Sequence, residues 1–135
     1  MWTYDQSTGW LYEQGKKYTQ GYSGHGAGED NPGDQGDKNV GPLPCGLYTI
    51  SQAFDHPHCG PMSMRLTPAP SNEMFGRSGF LIHGDNAMHD HSASDGCIIL
   101  PPVARAYINA SPDRHLTVVA SVDADNPPLR EHIVV

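Results

Sequence analysis

The sequence predicts a mainly β domain, two packed β-sheets with one short helix, built as a single unit over residues 1–135. Three observations predict it. Fifteen glycines and twelve prolines make up a fifth of the 135 residues, against roughly 12% in average usage, so turns are frequent. Short segments alternate apolar and polar residues, as strands with one buried face do. Only one segment carries a helical period.

WTYD and GWLYE alternate around a QSTG turn and read as the first two strands of a meander. EQGKKYTQGYS supplies another turn and a third strand. GHGAGEDNPGDQGDKNVG, from Gly24 to Gly41, has almost nothing apolar and no period, and reads as a long loop. It is either a surface connector or a flap beside an active site. A short strand follows at Leu47–Ser51, then a second loop, AFDHPHCGP. MSMRLTP sets Met62, Met64 and Leu66 against Ser63, Arg65 and Thr67, the pattern of a half-buried strand. GFLI, ending at His83, and CIIL, after Cys97, are short apolar runs that read as buried strands. PPVARAYINAS is the helix, since proline is tolerated in a helix's first turn. Val103, Ala106, Tyr107 and Ala110 share a face at helical spacing and are its expected buried stripe. HLTVVASV is a last strand, and DADNPPLREHIVV a loop or tail with room for an edge strand.

Composition excludes some functions. The formal net charge is −7, with only eight lysines and arginines, whereas nucleic-acid binding needs clustered cations. No apolar run approaches the ~20 residues of a membrane span, so no membrane insertion is expected. MWTYDQSTGW has neither the basic start nor the apolar core of a signal peptide. Synthesis in the cytoplasm is expected, with delivery elsewhere by other means. Of the three cysteines, Cys45 and Cys59 lie in turn-like surroundings. They are either a disulfide formed in an oxidising compartment or two partly buried thiols.

The stretch GFLIHGDNAMHDHSASDGCIIL concentrates the chemistry. His83, His89, His91 and Cys97 could form a zinc-dependent hydrolase, although none of their spacings is specific for zinc. Alternatively, Cys97 is a nucleophile at a loop-to-strand junction and His83 the base that takes its proton. If GFLI and CIIL are neighbours, the two side chains meet at one rim. Gly96 has no Cβ and lets a substrate approach. The N–H groups of Gly96 and Cys97 could bind an oxyanion.

IHGDN…SASDGCIIL resembles the signature of L,D-transpeptidase catalytic domains of the YkuD type. Ile82-His83-Gly84 matches the first element, and Ser94-x-Gly96-Cys97-Ile98 the second, fourteen residues from histidine to cysteine. Pro44, Gly46 and Tyr48 of GPLPCGLYTI match a preceding strand of that family. Asp95 stands where the family has a histidine, and Ile99 where it often has arginine or asparagine. YSGHGAGEDNP, GPLPCGLY, HPHCGPMSMRLTP, GRSGFLIHGD and SDGCIIL together resemble the L,D-transpeptidase effectors of type VI secretion systems, over about Trp2 to Val119.

The resemblance implies a peptidoglycan L,D-carboxypeptidase and L,D-transpeptidase that needs no cofactor. Its target is the bond between the third residue of a stem peptide, a diamino acid, and the following D-alanine. Cys97 is implied as nucleophile, and His83 as a base whose imidazolium is held beside a thiolate. The Gly84 carbonyl would orient His83, and Ser94 would brace the cysteine turn or the histidine. Asp95, Gly96 and Cys97 would supply the oxyanion donors. The stem's carboxylates call for a cation near the cleft, with Arg77 and Arg65 as candidates; Ser23, His25, His56 and His58 would line it. An immunity protein and secretion components are the implied protein partners, and a rival's periplasm the implied place of action. A non-catalytic cell-wall-binding domain is the remaining alternative.

Overall fold

The computed structural model describes residues 1–122, so the tail expected from residue 123 onward lies outside the described residues. Strands β1 (Trp2–Asp5), β2 (Trp10–Glu13) and β3 (Lys16–Gln20) form the antiparallel meander. A two-residue strand, β4 (Tyr22–Ser23), follows β3 directly but pairs elsewhere. The long loop then contains two 3₁₀ turns, Gly26–Gly28 and Pro32–Asp34. The remaining strands are β5 (Gly46–Ile50), β6 (Phe54–His56), β7 (Gly60–Pro68), β8 (Leu81–His83), β9 (Ile98–Ile99) and β10 (His115–Val119), with helix α1 (Pro102–Ala110) before the last.

The mainly β architecture with one α-helix is as the sequence predicts. Its two sheets run into each other as a nearly closed path, β3-β2-β1-β10-β5-β7-β8-β9-β4, with β6 paired to β7. Strand β7 makes the join. Its end, Leu66–Pro68, pairs with β5, while Met64 and Arg65 pair with β8. Nine residues are enough for one strand to serve both neighbours. The core between the layers holds Trp2, Tyr4, Leu43, Tyr48, Met64, Ile82, Ile98, Leu100, Ile108 and Leu116. Each such side chain contributes roughly 1.5–3 kcal/mol when fully buried.

The helix starts where its prolines predict but turns the other way. Val103 is 79% exposed and Tyr107 45%, while Ala104, Arg105 and Ile108 face the protein. Ala104 and Ile108 are themselves an i, i+4 pair, and this narrower stripe wins because Arg105, beside it, has carbonyl partners beneath. Tyr107 instead packs on Tyr18 and Trp2 and donates to Glu13 (2.8 Å).

No disulfide joins Cys45 to Cys59, which selects the second of the two readings. Tyr48 pairs with Pro68, so Cys45 lies past the far end of β7, while Cys59 precedes its start at Gly60. Along the strand the two are on the order of 25 Å apart, against about 7 Å at most for a disulfide's Cα atoms.

Candidate active site

Strands β8 and β9 are parallel neighbours, with Ile82 opposite Ile98 and His83 opposite Ile99. Side chains alternate along a strand, so Leu81 and His83 share a face with Cys97 and Ile99. The Leu81 N–H donates to Cys97 Sγ at 3.3 Å. His83 Nδ1 lies 2.7 Å from the Gly84 carbonyl. A carbonyl only accepts, so Nδ1 carries the proton and the neutral ring keeps its basic lone pair on Nε2. Gly84 packs against Arg105: a Cβ there would sit 2.7 Å from Arg105 Nη2, so a side chain would require the guanidinium to shift.

The cysteine turn is fixed by side chains distant in sequence. Ser94 Oγ donates to the Cys97 carbonyl (2.5 Å) and accepts from the N–H groups of Gly24 (2.9 Å) and Gly96 (3.1 Å). A hydroxyl has one proton and two lone pairs, so Ser94 is saturated. Ser23 Oγ donates to the Gly96 carbonyl (2.9 Å) and accepts from Leu43 N–H. His25 Nδ1 donates to the Ser94 carbonyl (2.8 Å). The guanidinium of Arg77 donates to the carbonyls of Asp95 (3.0 Å), Gly41 (3.0 Å), Pro42 (2.8 Å) and Gln35. It thereby ties the long loop to the cysteine turn.

Gly96 has φ +132°, and a Cβ would lie 2.5 Å from Arg77 Nη2 and 2.6 Å from Phe80. Gly96→Ala is expected to cost about 1–3 kcal/mol from the backbone conformation alone and to shift the thiol. Urea unfolding measures the loss. An alanine variant as stable as the parent would contradict this account of the turn.

Burial pushes the Cys97 thiol up to about 11, with Cys59 and Asp95 adding to the rise against the Leu81 N–H and Arg65. His83 moves below its ordinary 6.5, first through burial, then through the positive charge of Arg105 and through His56, while the Gly84 carbonyl and Asp85 oppose. Both shifts favour the uncharged forms. They favour a thiol and a neutral imidazole over the thiolate and imidazolium that the resemblance implies.

The profile of the Tlde1 domain matches residues 17–120. The chain belongs to the Tlde1 domain family. That family is one of type VI secretion effectors, which implies delivery into a target cell and a cognate immunity protein. No curated protein and no solved structure matches the chain. The Tlde1 match starts in β3 and includes His83, Cys97 and every residue that braces the cysteine turn. No helix among the described residues is long and apolar enough to cross a membrane.

Within the Tlde1 domain several expected roles change. Arg77 is not available to a substrate: it is 6% exposed and spent on four carbonyls. Arg65 is exposed, lies over the Phe54 ring and lowers the Cys97 thiol pKa, so it remains the cation on this face. Ser23 is buried and His25 is turned to the cysteine loop, so both position the turn rather than line a cleft. His58 is exposed; its N–H and that of Cys59 donate to His56 Nδ1. The Gly96 N–H is taken by Ser94, so of the three expected oxyanion donors those of Asp95 and Cys97 are left as candidates. The Asp95 side chain is 71% exposed, 3.5 Å from His25.

His89 and His91 face Asp85 (3.5 Å) and Glu29 (2.7 Å) instead of joining His83 and Cys97. Among the described residues no three His, Cys, Asp or Glu side chains converge as a metal site. The sequence reading missed Arg105, the cation beneath Gly84. Its one signal was a charged residue beside the small and branched positions Ala104 and Ile108.

Proposed function

We propose that this Tlde1 domain is a cysteine-dependent L,D-carboxypeptidase and L,D-transpeptidase of peptidoglycan stem peptides. The observation that carries the reading is the shared face of His83 and Cys97, with Nδ1 committed to the Gly84 carbonyl and Nε2 left basic. The thiol passes its proton to Nε2 as Sγ attacks the carbonyl of the stem's third residue. The N–H groups of Asp95 and Cys97 stabilise the oxyanion. His83 returns the proton to the departing D-alanine amine, leaving a thioester on Cys97. Water releases a tripeptide, a free D-amino acid exchanges for the lost alanine, and a stem amine forms a cross-link. Loss of tetrapeptide donors in the target's periplasm is the toxic outcome.

Mass spectrometry of muropeptides incubated with the protein tests the reaction class. Wild type is expected to convert tetrapeptides to tripeptides, and to exchanged tetrapeptides when a D-amino acid is added; Cys97→Ala does neither. A Cys97→Ala protein that remains toxic in the periplasm would instead mark a cell-wall-binding domain. Activity that disappears together with a stoichiometric zinc ion would mark the metal hydrolase.

A further inference from the structure

The parallel pair β8–β9 ends over a separate concavity of about 520 Å³, lined in part by Tyr22, Asp30, Asp85, His91, Leu100 and Arg105. Neither His83 nor Cys97 lines it, yet it adjoins them. Asp85 follows His83 by two residues. The Leu100 N–H donates to the His83 carbonyl at 3.1 Å. Ile99, another wall residue, is the register partner of His83. Cys97 and Leu100 flank the two residues of β9, three positions or roughly 10 Å apart.

The walls hold opposite charges that the protein leaves incompletely matched. Asp85 Oδ1 accepts from Tyr22 Oη (2.8 Å) and the Asn86 N–H (2.9 Å), while among the described residues Oδ2 has only His89, 3.5 Å away. Asp30 Oδ1 accepts from the Ser23 N–H (3.2 Å), and Oδ2 has no hydrogen bond among the described residues. Burial lifts the Asp30 carboxyl to about 6, the behaviour of a carboxylate short of a cation. Arg105 is 8% exposed. Its Nε donates to the Leu100 carbonyl (3.1 Å) and Nη1 to the Pro61 carbonyl (2.8 Å). Its Nη2 has no acceptor among the described residues. This nitrogen keeps solvent access, so a side chain that lines the open cavity holds a donor available to a ligand.

We propose that this cavity is a subsite for an α-amino-acid head group, with the ammonium on Asp30 and Asp85 and the carboxylate on Arg105 Nη2. Its place in catalysis rests on the stem-peptide reading above. Two sources supply that chemistry: the far end of a diamino dicarboxylic side chain at the stem's third position, or the free amino acid that accepts the acyl group.

Calorimetric titration of the full chain carrying Cys97→Ala tests the site without turnover. The probes are diaminopimelate, D-alanine, cadaverine (amines only) and glutarate (carboxylates only). At least one zwitterion is expected to bind, the single-charge probes at least about tenfold more weakly, and Asp30→Asn to weaken the zwitterion about tenfold. Asparagine keeps the shape and the Ser23 contact, and a melting curve checks its fold. Kinetics then separate the sources. Discrimination against stems with lysine at position three, with a KM rise in Asp30→Asn, identifies the side chain. A fall in exchange relative to hydrolysis identifies the acceptor. Equal binding of all four probes, or of none, overturns the subsite. Zwitterion binding by a protein whose wild type turns over no stem overturns the catalytic reading and leaves the subsite standing.

Discussion

Replacing His83 with alanine is expected to lower kcat/KM about 10²–10⁴-fold and to change the shape of the pH profile. The reason is the resting state. The thiol is held up to about 11 by burial, so a negligible fraction ionises unaided at neutral pH. His83 lies below its usual 6.5, so its Nε2 is already unprotonated at neutral pH and can take the proton during attack. Wild-type kcat/KM is therefore expected to fall only on the acid side, below about 6.5, and to be flat above neutrality. Without the imidazole, activity must wait for hydroxide to ionise the thiol, and the profile climbs towards about 11. Cys97→Ala removes the nucleophile itself and leaves no turnover at any pH. A wild-type profile that keeps climbing from neutrality to pH 10 would show that His83 is not the base.

Arg77→Met is expected to destabilise the fold by about 3–5 kcal/mol. Methionine approximates the buried length of arginine but offers no donor. The carbonyls of Gln35, Gly41, Pro42 and Asp95 all lose their partner, and each buried unsatisfied group costs about 1–3 kcal/mol before water relieves part of it. Lysine keeps the charge but not the planar fork, so Arg77→Lys is expected to recover only part of the loss. Because one of the four carbonyls is that of Asp95, the cysteine turn loosens with the long loop, and activity falls as well. Urea unfolding followed by circular dichroism gives the number. A loss under 1 kcal/mol would mean that the guanidinium does not hold these segments together.

The sequence was legible wherever the signal is local. Alternation in WTYD, GWLYE and MSMRLTP marks strands, and prolines mark the start of α1, because these patterns depend on residues a few positions apart. The ends of two apolar runs likewise place His83 and Cys97 at strand termini, and the parallel register brings them onto one face. Local pattern failed on α1, where two stripes of similar apolarity compete and the carbonyls beneath Arg105 decide between them. It also failed on the arginines. A sequence shows that Arg77 is charged, but not that four carbonyls from two loops converge on it.

By itself, then, the sequence determined the mainly β class, most strands, the helix position and the pairing of an His-Gly element with a Gly-Cys element. The tertiary structure alone decided that Ser94 takes the Gly96 N–H, that Cys45 and Cys59 stand apart, that burial shifts His83 and Cys97 towards their uncharged forms, and that Arg105 lies against Gly84. The division has one physical cause. Strand and helix periods come from near-neighbour geometry, whereas burial, pKa and hydrogen-bond partners depend on which distant segments β7 and Arg77 bring together.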